Sequence, residues 1–390
     1  MISSEIGINT HIHTPYSFSA FSTMDQIFIS ARAEKIDVLG INDFYTDDGY
    51  SEFRYQAGIN RVYPLYCMEY IGLLKEKQDQ GIRVNDPNNP GRTYICGKAF
   101  RYPFNLSDEN SEKLKKVVQE SQDQVKAMVI KANEYFKTLQ VPIHLNFNEI
   151  KKEFARNMVR ERHIARAIWV EVFKKCKMPN ECRNMLSLIL KTEVDSGTIT
   201  NEAVLENMIR SKLLKMGGFS FVEETESAFL PIPELVDLII DAKGIPCYPV
   251  LLDDQNGDFT EFERDWEQLY KDLIELGIFA VELIPFRNDI QVLEKFVNFF
   301  NMRDFIVTFG TEHNTPEMIP LSIRCRNDND LDDDLKRIGN EGACVLIAHQ
   351  HLVENGKEGY IDQNGKAKTD QLSDFVSLGK NVLQNYLTKK

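Results

Sequence analysis

The sequence predicts an α/β protein with a mainly parallel sheet and a helical insertion. Short apolar runs alternate with amphipathic stretches over residues 5–100 and again over 233–348, and this alternation is typical of βα units. From residue 107 onwards, apolar residues recur at three- and four-residue spacing between charged ones, which indicates amphipathic helices. A length of 390 residues allows two or three domains, but α/β barrels commonly reach this size as one unit.

The elements follow from these patterns in chain order. Apolar runs bounded by polar residues predict strands at 5–14, 36–42, 63–74, 92–100, 246–251, 280–284 and 305–309. Helical spacing in the α/β parts predicts helices at 22–34, 233–242, 258–276, 291–301, 331–339 and 372–387. The inserted part is predicted to be helical at 107–139, 148–174, 180–190 and 201–215. The apolar run 343–348 fits either a strand or the start of a helix.

Composition narrows the function classes. The chain has 46 Lys+Arg against 59 Asp+Glu, a formal net charge of −13, and an acidic surface repels a phosphate backbone, which argues against a nucleic-acid partner. No window approaches the roughly 18 apolar residues of a membrane span, and residues 1–8 lack the features of a signal peptide. We therefore expect a cytoplasmic protein without a membrane partner. Its seven dispersed cysteines contain no C-x-x-C pair, so we expect reduced thiols.

The strongest local signal is the pair His11 and His13. Residues i and i+2 of a strand project to the same face, so both imidazoles can reach one metal ion. The alternative is two histidines satisfied by ordinary hydrogen bonds. Glu69 ends an otherwise apolar run, and a carboxylate there is costly to bury without a cation. This favours a metal role for Glu69, with a rim carboxylate as the alternative.

Several segments together resemble the PHP (polymerase and histidinol phosphatase) family. The run His11-Ile12-His13-Thr14-Pro15-Tyr16-Ser17 is similar to its opening H-x-H-T-x-Y-S, and Asn42-Asp43-Phe44 stands at its T-D-H. Further similar segments are 63–70, 94–97, 159–167 with its H-I-A-R-A core, 242–249, 277–283 and 309–314. The resemblance implies a distorted TIM-like (β/α)7 barrel formed by residues 1–106 and 236–390, including a C-terminal extension, with 107–235 as the helical insertion.

The resemblance also implies a set of site residues. Its metal ligands map to His11, His13, Glu69 and His313. Asp43 or Glu312 would act as a further ligand or general base, and Tyr248 would donate a hydrogen bond to substrate. Arg160, Arg162 and His163, at the start of a predicted helix, would bind phosphate.

The sequence departs from the family pattern at four ligand positions, which carry Phe44, Tyr94, Tyr248 and Thr311. The remaining ligands suit one or two divalent ions of Zn, Mn or Fe type. A second H-x-H, His349 and His351, lies beyond the matched segments. We expect it to be structural, with His349 as the candidate if the metal site has been rearranged.

The function expected from these residues is a metal-dependent phosphoesterase acting on a small-molecule or nucleotide phosphoester by metal-activated water. One alternative is a catalytically inactive PHP-derived binding or regulatory protein, because four ligand positions are substituted. Another is a single-metal enzyme in which Tyr248 serves a non-phosphate, sugar-like substrate.

Overall fold

The strands of the protein form one barrel-shaped sheet. The computed structural model describes residues 6–388, so residue 5 of the first predicted strand lies outside it. The strands are β1 (Gly7–Ile12), β2 (Ile36–Phe44), β3 (Tyr63–Leu73), β4 (Arg92–Lys98), β5 (Leu230–Pro231), β6 (Ile245–Val250), β7 (Ala280–Leu283) and β8 (Ile306–Phe309). They form an eight-stranded sheet in the order β1-β2-β3-β4-β6-β7-β8, with β5 paired to β3.

Strand direction and closure define the barrel. The pairs β1–β2, β2–β3, β6–β7 and β7–β8 are parallel, whereas β4 runs antiparallel to β3 and β6. The two ends of the sheet meet through a parallel bridge between Ile12 and Glu312, where the amide of His13 donates to the Glu312 carbonyl at 2.7 Å. The predicted class, an α/β distorted TIM-like barrel, is confirmed, and the antiparallel β4 is its main irregularity.

Helices surround this sheet. They are α1 (Met24–Ala33), α2 (Tyr50–Asn60), α3 (Lys75–Asp79), α4 (Asp108–Thr138), α5 (Phe147–Phe154), α6 (Glu161–Lys175), α7 (Pro179–Leu190), α8 (Ser196–Thr200), α9 (Glu202–Ile209), α10 (Ile232–Asp241), α11 (Trp266–Glu275), α12 (Ile290–Asn301), α13 (Asp333–Glu354) and α14 (Leu372–Thr388). Side-chain caps mark the starts of several helices, as where Thr23 accepts from the amide of Gln26 and Asp332 accepts from that of Leu335.

Helices α4 to α9 follow β4 in the chain and precede β5. They bury an apolar cluster of their own, in which Phe136, Ile164 and Ile168 are fully enclosed. A fully buried side chain of this size contributes about 1.5–3 kcal/mol, so the cluster stabilises these helices against one another. The helical character predicted for residues 107–235 is therefore present, and their division from the barrel as a domain stays a prediction.

The C-terminal part consists of α13 packed against α14. Gly379 allows the close approach, because a Cβ there would lie 1.9 Å from the carbonyl oxygen of Cys344. Within α13, His349 is buried, accepts from the amide of Tyr360 at Nδ1 and faces the carbonyl of Lys243 at Nε2, each at 2.9 Å. Both ring nitrogens thus serve backbone groups.

Composition led us to expect reduced thiols and no membrane-spanning helix. All seven cysteines are free thiols, and Cys176 is the one that is not buried. Within residues 6–388, no helix combines the length and the apolarity needed to cross a membrane.

Candidate metal centre

His11 of β1 and His13, which directly follows that strand, point their Nε2 atoms at each other. Both side chains are buried, and their Nε2 atoms lie 3.4 Å apart. Their i, i+2 spacing at the end of the strand turns both rings to the same side of the chain. Gly310, the residue directly after β8, makes room for His11, since a Cβ at position 310 would lie 2.3 Å from the Cβ of His11.

Glu69 of β3 completes a group of three residues that could bind a metal ion. Its Oε2 lies 3.1 Å from Nε2 of His13 and 4.0 Å from Nε2 of His11. The three ligand atoms all lie within 4.8 Å of one another, and all three residues are buried. Burial raises the pKa of the Glu69 carboxyl well above its ordinary range.

Glu282 fixes the orientation of His11. Its Oε2 lies 2.5 Å from Nδ1 of His11, so Nδ1 donates its hydrogen and Nε2 carries the lone pair. Burial alone would raise the pKa of Glu282, but the Lys98 ammonium and His11 outweigh it and lower the pKa to about 2. Lys98 is itself fully buried and contacts the other Glu282 oxygen at 2.6 Å.

Asp43 and Ser17 fix the orientation of His13. Ser17 donates to Oδ1 of Asp43 at 2.6 Å, so its oxygen is free to accept from Nδ1 of His13, 3.1 Å away. The Thr14 amide also donates to Oδ1 of Asp43, at 2.7 Å, and the Thr14 hydroxyl donates to Oδ2 at 2.5 Å. Burial lowers the pKa of His13 to about 4, so its ring is neutral at pH 7 with the lone pair on Nε2. The structure thus places Asp43 behind His13, where it positions the ring.

These hydrogen bonds test whether the site fits a metal ion. Both imidazoles are held as tautomers whose Nε2 atoms are acceptors, and the third atom of the group is a carboxylate oxygen. Within residues 6–388, Oε2 of Glu69 accepts no hydrogen bond, and the nearest donor to Nε2 of His11 is the amide nitrogen of Asn42 at 2.9 Å. Of the three converging acceptors, the Glu69 oxygen is the one without a hydrogen-bond partner among the described residues. A buried unpaired carboxylate oxygen is costly, so this position fits a cation. Two imidazoles and a carboxylate are ligands that zinc and related ions prefer.

Phe44 and Arg160 form the wall of the site beside His13. The Phe44 ring stacks on His13 with centroids 4.9 Å apart, and the Arg160 guanidinium lies 4.3 Å from the Phe44 centroid. Phe44 stands where the resemblance led us to look for a histidine ligand, and here it supports an arginine instead. Among residues 6–388, no carboxylate forms an ion pair with this half-buried guanidinium. Arg160 is therefore available to an anion.

The other predicted phosphate-binding residues have local partners. His163 is buried and its Nδ1 accepts from the amide of Arg160 at 2.9 Å, which caps α6. Burial lowers the pKa of His163 to about 3, so the ring is neutral. Arg162 lies over the ring of Phe18 at 5.2 Å and donates to Asn207 at 3.2 Å. Of the three predicted residues, Arg160 alone presents an unpaired cationic group beside the histidines.

Glu312 lies at the closure of the barrel. Its amide donates to the His11 carbonyl at 2.8 Å, and its side chain forms an ion pair with Arg287. Burial would raise the pKa of Glu312, but Arg287, His11 and His13 lower it. The carboxylate is thus charged and close to both histidines, yet its present partner is Arg287. Glu312 and His313 both have positive φ, 67° and 56°, a conformation that costs about 1–2 kcal/mol per residue.

His313, predicted as a metal ligand, is not brought into the group of ligand atoms. Its Nε2 faces the carbonyl of Ile319 at 2.9 Å and therefore donates, while its Nδ1 lies 2.8 Å from the hydroxyl of Thr311. The ring also stacks on Phe21 with centroids 5.0 Å apart. Both nitrogens are engaged, so His313 holds the chain end after β8 in place.

Tyr248, predicted to contact substrate, is also engaged elsewhere. It is buried, and its hydroxyl donates to Oε1 of Glu263 at 2.8 Å. That carboxylate also accepts from the amides of Leu251 and Leu252 at 3.0 and 2.6 Å. Tyr248 and Glu263 thus fix the loop that follows β6.

Sequence reasoning left Lys98, Glu282 and Asn42 without roles. All three are buried within strands. Glu282 lies in an otherwise apolar strand, which is the signal that singled out Glu69, whereas the strands of Lys98 and Asn42 contain further polar residues. What the sequence does not contain is their pairing, because Lys98 and Glu282 are 184 residues apart in the chain.

Two solved structures share the barrel fold of this chain. A candidate metal-dependent phosphoesterase from Bifidobacterium adolescentis superposes with a TM-score of 0.55 at 16% identity, covering 85% of this chain and 94% of that one. An amidohydrolase from Chromobacterium violaceum, solved with bound sulfate and no metal, superposes with a TM-score of 0.53 at 15% identity, covering 85% of this chain and 96% of that one. No family model and no curated protein matches the sequence. The likeness at these identities concerns the fold.

Proposed function

We propose that this protein is a metal-dependent phosphoesterase of PHP type that hydrolyses a small-molecule phosphoester. The observation that carries the proposal is the convergence of three acceptor atoms, Nε2 of His11, Nε2 of His13 and Oε2 of Glu69, in a buried site that lacks a donor for the carboxylate. A divalent ion there would supply Lewis-acid chemistry, polarising phosphoryl oxygens and making water more acidic.

The chain's own residues account for the rest of the site. Glu282 and the Ser17–Asp43 pair hold the two imidazoles as the tautomers that present Nε2. Arg160 binds a phosphoryl oxygen through its guanidinium, which the Phe44 ring holds beside His13. A planar cationic donor suits a tetrahedral oxyanion.

A small substrate is favoured over a long nucleic acid. The net charge of −13 opposes a polyanion, whereas one arginine and an ion suffice to capture a single phosphoryl group. The sulfate in the amidohydrolase neighbour is an oxyanion of the same shape as phosphate, which supports this choice of ligand class.

Metal content and turnover test the proposal together. Protein purified without chelator and supplied with Mn²⁺, Zn²⁺ or Fe²⁺ should hydrolyse p-nitrophenyl phosphate, and Glu69→Gln should lose both bound metal and turnover. Arg160→Ala should raise KM about 10- to 100-fold with unchanged metal content, since a charge-assisted hydrogen bond is worth about 1.5–3 kcal/mol. The matched control is Arg337→Ala, because Arg337 is an exposed arginine paired with Asp334 and Glu341.

Two results would contradict the proposal. Turnover that survives Glu69→Gln at the wild-type level would originate outside this site. Stoichiometric metal without turnover of any phosphoester would favour the inactive binding protein, an alternative supported by the side chains of Phe44 and Tyr248, which offer no ligand to the centre.

A further inference from the structure

Lys98 is a buried cation inside the barrel. It ends β4, its side chain is fully enclosed, and its Nζ lies 2.6 Å from Oε1 of Glu282. The same nitrogen lies 3.3 Å from the carbonyl of Thr10 and 3.3 Å from Oδ1 of Asn42. Oxygen atoms therefore surround the ammonium much as they would surround a bound metal ion.

Both oxygens of the partner carboxylate already have donors. Oε1 of Glu282 also accepts from the hydroxyl of Thr10 at 2.8 Å, and Oε2 accepts from Nδ1 of His11 at 2.5 Å. Each oxygen of Glu282 thus has a donor, in contrast to Oε2 of Glu69. The two glutamates of the site differ in whether a cation of the chain already neutralises them.

Glu282 also belongs to a second group of ligand types, with His11 and Cys96, whose atoms lie within 4.8 Å of one another. By residue type alone this group could hold an ion beside the first group, since both share His11. An ion bound to Glu282 would have to share its carboxylate with the Lys98 ammonium, and two cations on one buried carboxylate repel each other strongly.

We infer that the Lys98 ammonium takes the place of a second metal ion, so that the centre binds one ion and Lys98 acts as a positioning residue for His11 through Glu282. The inference rests on the proposed metal-dependent function and specifies its metal stoichiometry. It predicts that removing the Lys98 ammonium while keeping the Glu282 carboxylate allows a metal ion to bind the group of His11, Cys96 and Glu282.

Metal counting tests this inference. Wild-type protein saturated with Mn²⁺ and then desalted should contain one equivalent per chain by mass spectrometry, with the electron paramagnetic resonance spectrum of isolated Mn²⁺. Lys98→Met, which keeps the length of the side chain without its charge, should contain two equivalents with exchange-coupled signals. Lys98→Met/Glu282→Gln should return to one equivalent. Lys115→Met, which removes an exposed lysine paired with Glu112, is the matched control and should stay at one.

The outcomes separate this inference from the function on which it rests. Two equivalents in wild-type protein would overturn the single-ion centre while leaving a metal-dependent function intact. Less than half an equivalent in wild-type protein would overturn both. A folded Lys98→Met that still holds one equivalent would overturn the role of Lys98. If that variant does not fold, the wild-type count and spectrum decide the question.

Discussion

The stability of the barrel should depend on the ion pair between Lys98 and Glu282. Their side chains are 0% and 1% exposed, and Nζ lies 2.6 Å from Oε1. Lys98→Met leaves the Glu282 carboxylate buried with the Thr10 hydroxyl and the His11 ring as partners but without the ammonium. Glu282→Gln leaves the Lys98 ammonium buried without its carboxylate partner. Each single substitution therefore leaves one unpaired charge buried, whereas the double substitution would remove both charges.

The size of the effect follows from the burial of the pair. Removing one partner of a buried ion pair typically costs about 3–5 kcal/mol. Burial opposes the charged carboxylate of Glu282, but Lys98 and His11 lower its pKa to about 2, so the surroundings favour the charged form. Each single variant should therefore lose about 3–5 kcal/mol of unfolding free energy.

Urea unfolding followed by circular dichroism, in EDTA so that metal does not contribute, measures this loss. Lys98→Met/Glu282→Gln should lose at least about 2 kcal/mol less than the two single variants together, because it removes both charges. Since the folded pKa of Glu282 lies below the unfolded one, the advantage of wild type over Glu282→Gln should shrink as the pH falls from about 4.5 toward 2. Additivity within about 0.5 kcal/mol would refute the coupling.

Three further substitutions probe other parts of the account. Asp43→Asn removes an acceptor from the group that orients His13, so Zn²⁺ affinity in a chelator competition titration should fall about 10- to 100-fold with the fold retained; an unchanged affinity would show that the orientation is unimportant. Gly310→Ala would place a Cβ 2.3 Å from that of His11 and should cost about 1–3 kcal/mol in thermal unfolding; an unchanged Tm would mean that the chain relaxes freely there. His349→Ala leaves the buried amide of Tyr360 and the carbonyl of Lys243 without this partner and should cost about 2 kcal/mol without changing metal content; lost metal would instead assign His349 to the centre.

The strands were predictable because each is a short, nearly continuous apolar run. Such runs identify strands buried on both faces, and the observed bounds lie within about two residues of the predicted ones for β1 to β4. Strand direction was not encoded in these runs, so the antiparallel course of β4 is a property of the assembled sheet.

The helices were less predictable where nearly all or very few of their residues are buried, because the apolar residues then show no clear helical spacing. The predicted helix at 331–339 and the apolar run 343–348 both belong to the single helix α13. Residues 342–350 of this helix are all buried, so the apolar run has no helical period. Helix α2 was missed because it buries only Tyr50, Phe53 and Ala57 and its pattern is weak. The helix predicted at 258–276 begins at Trp266, because its capping residue is Asp265.

The candidate ligands were predictable to the extent that their geometry is local. The i, i+2 spacing of His11 and His13 at the end of β1 turns both rings to one side, and Glu69 was singled out as a carboxylate in an apolar strand. The resemblance predicted that Arg160 binds phosphate, and the structure places its guanidinium against Phe44, which stacks on His13. The resemblance could not reveal that His163 and His313 are held by neighbouring backbone groups. Those contacts depend on loop conformations, including the positive φ of His313, which no pattern in the sequence specifies.

Anomalous diffraction from crystals soaked in Zn²⁺ or Mn²⁺ tests the central claim most directly. We predict one strong peak per chain, about 2.0–2.2 Å from Nε2 of His11, Nε2 of His13 and Oε2 of Glu69. A peak held by other residues, or the absence of any peak at this group in crystals soaked at saturating metal, would contradict the account.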